Sequence, residues 1–154
     1  MIDTPQIAQI AAQLVAKIHL TIPRSEIRSM MGPGISEVMA AVSGQGIGPT
    51  GPWFTHHLRM HPATFDFEIC VPVSAPVAAV GRVISGEIPA ITAARTVYEG
   101  PYEGLATAWR EFHEWIEANG HAARQDLLEC YLAGPESGPD AAKWRTELIQ
   151  PLVE

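Results

Sequence analysis

The sequence predicts an α+β fold: a strand–helix–strand–strand unit that occurs twice, forming an antiparallel sheet with two helices about a pseudo-twofold. Three observations carry this. The hydrophobic period switches from two to 3.6 and back twice along the chain. Gly and Pro supply 13 residues each, which suits short elements joined by turns better than a plain helix bundle. Both closing strands carry a Glu four residues before a Pro, Glu68/Pro72 in FEICVP and Glu147/Pro151 in TELIQP. The 154 residues suffice for one domain with a real core.

In the first copy, Gln13 to Ile22 (QLVAKIHLTI) reads as a strand that stops at Pro23. RSEIRSMMGPG offers a first turn of helix, and Pro33 suits the first position of a helix, where its missing N–H costs nothing. Ile35, Val38, Met39 and Val42 then recur at helical spacing up to Gly44. After the connection GQGIGPTGP come the strands WFTHHLRMH and TFDFEICVPV, the second alternating at Phe65, Phe67, Ile69 and Val71. Val77 to Ile88 reads as a linker. The second copy repeats the order. ITAARTVYEG is a strand, and Tyr102 to Asn119 is a helix with a stripe through Leu105, Ala108, Trp109, Phe112, Trp115 and Ile116. QDLLECYL and WRTELIQPL are strands, joined by a loop whose Pro139-Asp140 caps a short turn. The whole is a single domain, with a first repeat of about 13–76, a linker of about 77–88 and a second repeat of about 89–154. Residues 1–13 either extend the first strand or form a short helix. A groove between related halves is a natural ligand site, so a central cleft is expected.

Charge divides unevenly. Residues 1–98 hold six acids and six bases, and residues 99–154 hold eleven acids against four bases, so the net charge of −7 belongs to the second half. That balance argues against a general nucleic-acid binder; the acidity itself reads first as a solvated surface, with a negative field around a cation site as the alternative. The apolar start, Ile7 to Leu20, is broken by Gln9, Gln13, Lys17 and His19, so neither a signal peptide nor a membrane span is expected. Cys70 and Cys130 read as reduced core residues of a cytoplasmic protein.

The segments GPW-F (Gly51 to Phe54), DFEICVPV (Asp66 to Val73), GPYEGLATAW (Gly100 to Trp109), LECYLAGP (Leu128 to Pro135) and WRTELIQPL (Trp144 to Leu152) together resemble the GyrI-like small-molecule-binding family. This is the effector-binding domain of many AraC-type and MerR-type bacterial regulators, here in standalone form. The resemblance implies two strand–helix–strand–strand units about a pseudo-twofold. It also implies capture of hydrophobic, often cationic, compounds in a central cleft (multidrug binding). Glu129 and Tyr131 match the family's Glu-x-Tyr cleft acid, and Tyr102 and Trp109 match its aromatic positions. Cys130, Ala133 and Gly134 depart from the usual pattern and affect the rim. Some standalone relatives hydrolyse cyclopropane-bearing toxins with the cleft glutamate. The helix-turn-helix of the regulators has no counterpart here, so no direct nucleic-acid contact is expected.

On a strand, Glu129 and Tyr131 share one face and Leu128, Cys130 and Leu132 the other. The second face reads as the core side, so Glu129 looks outward to solvent or into a cleft. A carboxylate shielded from water by aromatics holds its proton more tightly, because burial disfavours charge. Phe112 and Ile116 are assigned to the core, and Tyr102 and Trp109 to the cleft, since aromatic faces attract cations. Trp53, Phe54 and Tyr98 are further wall candidates. His56, His57 and His61 lack the acid or Cys spacing of a metal site, and no cofactor is expected. Glu68 and Glu147 read as structural, facing Arg59, Arg95 or Arg145. Cys130, flanked by apolar residues, is a poor nucleophile.

Three functions remain: a binding module for hydrophobic, possibly cationic, small molecules; a hydrolase of strained cyclopropanoid rings using Glu129, Tyr102 and Trp109; and a topoisomerase-inhibitor-like protein-interaction module. The expected partner is a small molecule, without nucleic acid or membrane.

Overall fold

The structure is a computed structural model and describes residues 2–60, 63–133 and 138–153. It has eight strands and two long helices: β1 (Gln6–Ile10), β2 (Gln13–Pro23), α1 (Ile27–Gly44), β3 (Phe54–Met60), β4 (Thr64–Pro72), β5 (Ile84–Ile88), β6 (Ile91–Glu99), α2 (Leu105–Ala118), β7 (Leu127–Ala133) and β8 (Arg145–Pro151). The chain divides into two compact units, 11–90 and 1–10 with 91–154. The α+β class and the twofold recurrence of strand–helix–strand–strand are both present.

In the unit 11–90 the antiparallel strand order is β3-β4-β2-β5. Ala16, Ile18, Leu20 and Ile22 of β2 and Phe67, Ile69 and Val71 of β4 pack with Val38, Ala41 and Val42 of α1. Each fully buried Val, Leu, Ile or Phe side chain among them contributes about 1.5–3 kcal/mol relative to exposure. The helix begins before Pro33, which lies inside it and is exposed; the expectation that Pro33 opens the helix is corrected. Proline removes one backbone bond, to Ser29 four residues earlier. Helical spacing of Ile27, Met30 and Met31 against the same core holds the preceding turns in place.

In the other unit the antiparallel order is β1-β6-β8-β7. Ala94, Tyr98 and Leu148 pack with Ala108, Phe112 and Ile116 of α2. Tyr102–Gly104 forms a 3-10 turn ahead of α2, so Tyr102 stands on that turn and not on the helix. Asp140 accepts a hydrogen bond from the Ala142 N–H at 3.2 Å, capping the short turn expected there.

Residues 1–13 and 77–88 were each expected otherwise. Residues 6–10 form a separate strand, and the stretch read as a linker contains β5. The signal in ISGEI is weak because it includes Gly86. A Cβ there would lie 2.6 Å from Lys17 Cε, so glycine lets the lysine cross the strand. Only residues 11–12 separate β1 from β2, and only 89–90 separate β5 from β6. Neither pair forms a hairpin. Ala11-Ala12 and Pro89-Ala90 lack the residues that tight two-residue hairpins require, and no described non-glycine residue has positive φ. Instead β1 pairs with β6 and β5 with β2.

The two ladders match residue for residue. Val15 pairs with Pro72 and Ala93 with Pro151. Aligned on these prolines, Lys17 matches Arg95, Glu68 matches Glu147 and Phe65 matches Trp144. On the neighbouring strands Phe54 pairs with Cys70 and Leu128 with Ile149, which matches Thr55 to Glu129 and His57 to Tyr131. Both pairings shift register at the corresponding place, between His57 and Arg59 and between Tyr131 and Ala133.

Candidate functional site

The site is built within the unit that holds α2. Period-two alternation puts Glu129 and Tyr131 on one face of β7. Their partners across the ladder are Leu148 and Thr146 of β8, and Leu148 belongs to the core under α2. Glu129 therefore faces the helix side of the sheet. Leu128 and Cys130, expected on the core side, lie on the opposite face beside Ile149 and Glu147. The correction arises because Leu128 is buried and Cys130 half-buried on the face away from the helix as well, so apolarity alone does not mark the helix side.

Two donors hold the Glu129 carboxylate. The Trp109 indole N–H from α2 donates to Oε2 at 2.6 Å, and the Tyr131 hydroxyl donates to Oε1 at 2.6 Å. An indole N–H only donates, which fixes the direction of the Trp109 bond. Trp109 is itself set by packing: its ring lies 5.7 Å from Phe112 and 5.5 Å from His113. His113 Nε2 meets Gln150 Oε1 at 2.8 Å. The Gln150 amide nitrogen faces the carbonyls of Arg124, Asp126 and Pro151 at 3.1, 3.0 and 2.8 Å. That orients the amide and makes His113 the donor through Nε2.

Tyr102 completes the group. Its ring stands edge-on to Tyr131 at 6.0 Å and tilted to Trp144 at 5.0 Å, within the usual range of aromatic pairs. Trp144 is anchored by its indole N–H, which donates to the Gly138 carbonyl at 3.1 Å. Tyr102, Trp109, Glu129, Tyr131 and Trp144 are all half-buried. The result is one carboxylate held in place among aromatic rings. Sequence reasoning missed Trp144 as a site residue; its signal was an aromatic opening the strand after a capped turn.

The other candidates have the following surroundings within their own units. Tyr98 belongs to the core under α2, 5% exposed, with its hydroxyl donating to the Pro101 carbonyl at 2.8 Å. Trp53 packs on the core of the unit 11–90, and Phe54 is buried there beside Cys70. His57 stacks on Phe67 at 5.3 Å, whereas His56 Nδ1 lies 3.5 Å from Glu68 Oε1. His61 falls outside the described residues. Glu147 pairs with Arg95, whose Nε donates at 3.0 Å, whereas Glu68 pairs with Lys17 at 2.7 Å. Burial pushes the Cys130 thiol up to about 11 and the Cys70 thiol higher still. Among the described residues no helix is long and apolar enough to cross a membrane.

Comparison with solved structures finds two of EcmrR. The crystal structure of the EcmrR C-terminal domain is 27% identical with a TM-score of 0.86, covering 98% of each chain. EcmrR in a DNA complex is 28% identical with a TM-score of 0.86, covering 99% of this chain. The present chain spans 58% of that EcmrR chain. SAV2435 bound to tetraphenylphosphonium shares the fold, at 15% identity and a TM-score of 0.71 over 98% of this chain and 94% of that one. Comparison with curated protein sequences finds no match. Residues 3–153 match the GyrI-like small molecule binding domain, and the chain belongs to that family.

Proposed function

We propose that this domain captures hydrophobic organic cations on Tyr102, Trp109, Tyr131 and Trp144, with Glu129 as the counter-charge. The observation that carries this reading is the pair of hydrogen bonds from Trp109 and Tyr131 to the two oxygens of Glu129. They hold a formal charge at one point of an aromatic wall. A cation seated there gains attraction from the ring faces, about 0.5–2 kcal/mol per contact, and from the carboxylate. In a DNA-binding regulator such as EcmrR, capture of this kind would be the input. For this chain the proposal is ligand capture itself. Its free thiols, Cys70 and Cys130, suit the reducing cytoplasm.

Glu129→Gln tests the reading with little disturbance. The amide oxygen can accept from Trp109, and the amide nitrogen can donate to the Tyr131 hydroxyl, which both donates and accepts. Both of these bonds persist while the charge is lost. Titrating tetraphenylphosphonium against both proteins should show affinity about tenfold to hundredfold weaker in the variant. A neutral triphenylmethyl alcohol should bind both alike. Equal affinity of the cation for the two proteins would overturn the counter-charge role.

A further inference from the structure

The register match identifies a second aromatic group, in the unit 11–90. Phe65 stands where Trp144 stands, and His57 stands where Tyr131 stands. The residue corresponding to Tyr102 is Arg24. Each opens a 3-10 turn immediately after a proline, Pro23 or Pro101, and each turn runs into the long helix of its unit. In the Glu129 group Tyr102 lies against Trp144. In the unit 11–90 the Arg24 guanidinium lies over the Phe65 ring, 4.4 Å from its centroid. Phe65 is backed by the edge of His57 at 5.7 Å and by Phe67 at 6.2 Å, and His57 is stacked on Phe67.

We propose that the unit 11–90 carries a second cation seat on Phe65, backed by His57 and Phe67, and that the chain's own Arg24 occupies it. The ligand class is a compact guanidinium or alkylammonium ion. Thr55 stands in the place of Glu129 and donates or accepts at His57 Nε2 over 3.1 Å. A hydroxyl thus stands at the register position that Glu129 holds in the other unit, and the Phe65 ring faces the cation. Arg24 is half-buried and attached through one turn of backbone, so it competes intramolecularly with any free cation. A free cation binds only in the fraction of molecules in which Arg24 has swung away, which lowers its apparent affinity by that fraction.

The inference rests on the register of the strands and is independent of the role proposed for Glu129. Its test is a titration of the full chain with methylguanidinium chloride, read by NMR at the Phe65 and His57 rings, with potassium chloride as the ionic-strength control. Arg24→Ala and Arg24→Gln should each show saturable shifts at both rings, with a midpoint about fivefold or more below that of the parent protein. Arg24→Lys should behave like the parent. Absence of saturable shifts in the folded Ala and Gln variants overturns the proposal, as does a parent midpoint equal to theirs. Shifts at Tyr102 and Trp144 in the same spectra report on the Glu129 group separately, so either proposal can fail while the other stands.

Discussion

Glu68 shows what becomes of a strand carboxylate when cations close on it. Burial pushes its carboxyl up, but hydrogen bonds and charge from His56 and Lys17 outweigh burial and hold it below the ordinary value of 4.5. A carboxyl lowered by folding stabilises the protein above its unfolded value, and that contribution is lost as pH falls through the folded value. Stability should therefore hold through neutral pH and decline below 4.5. Glu68→Gln should flatten that acid limb in urea midpoints measured across pH. A limb of unchanged steepness would remove Glu68 from the account. At this scale much was legible. Alternation alone put Glu129 beside Tyr131, and the Glu-x-x-x-Pro echo singled out Glu68 and Glu147 as equivalents. Their cations were harder to read. Lys17 and Arg95 lie diagonally across a ladder, and such a pairing exists only once register is known.

The 3-10 turns ahead of the two long helices are equivalent in place and differ in the residue that opens them, Arg24 or Tyr102. Helical periodicity marked α2 well but ran Tyr102 into it, since a 3-10 turn and a helical turn differ little in spacing over three residues. What holds this turn is a close approach: a Cβ on Gly104 would overlap the Tyr98 hydroxyl, which is fixed by its bond to Pro101. Gly104→Ala should cost about 1–3 kcal/mol and weaken cation binding, because Tyr102 shares the turn. Tyr98→Phe removes the hydroxyl and its bond at about 1 kcal/mol. The double variant should be more stable than the sum of the two losses implies, by about 0.5 kcal/mol or more. Additive losses in thermal or urea unfolding would show that the close approach is not what sets the turn. In α1 the misreading had a different cause. Proline is a boundary signal by propensity, but packing of Met30, Met31 and Gly34 on the sheet overrides it. Gly34 comes so near that a Cβ would lie 2.6 Å from Ile69 Cδ1.

For the molecule as a whole, the repeat was legible and the traffic of its outer strands was not. Five-residue strands with a glycine or with exposed polar faces carry little pattern, and nothing local in QIAQI or ISGEI names a partner 67 or more residues away. The exchange makes a specific prediction. Deleting residues 1–10 removes a strand from the edge of β6, in the unit at the far end of the chain. Hydrogen exchange should quicken by about tenfold to hundredfold at the β6 amides that β1 covers. Protection in β2 and β4 should stay unchanged. Loss spread evenly over both units would contradict this division.

The borrowed strands also bear on how such a chain could have arisen. The repeating stretch of sequence runs from β1 through β4 and again from β5 through β8, whereas each packed unit takes its outer strand from the other stretch. A polypeptide of one stretch alone would carry an arm with no place on its own sheet, and two copies would complete each other by trading arms. The present chain has the strand pairing that two such arm-trading chains would have if joined end to end, with Glu129 in one unit at the register position of Thr55 in the other.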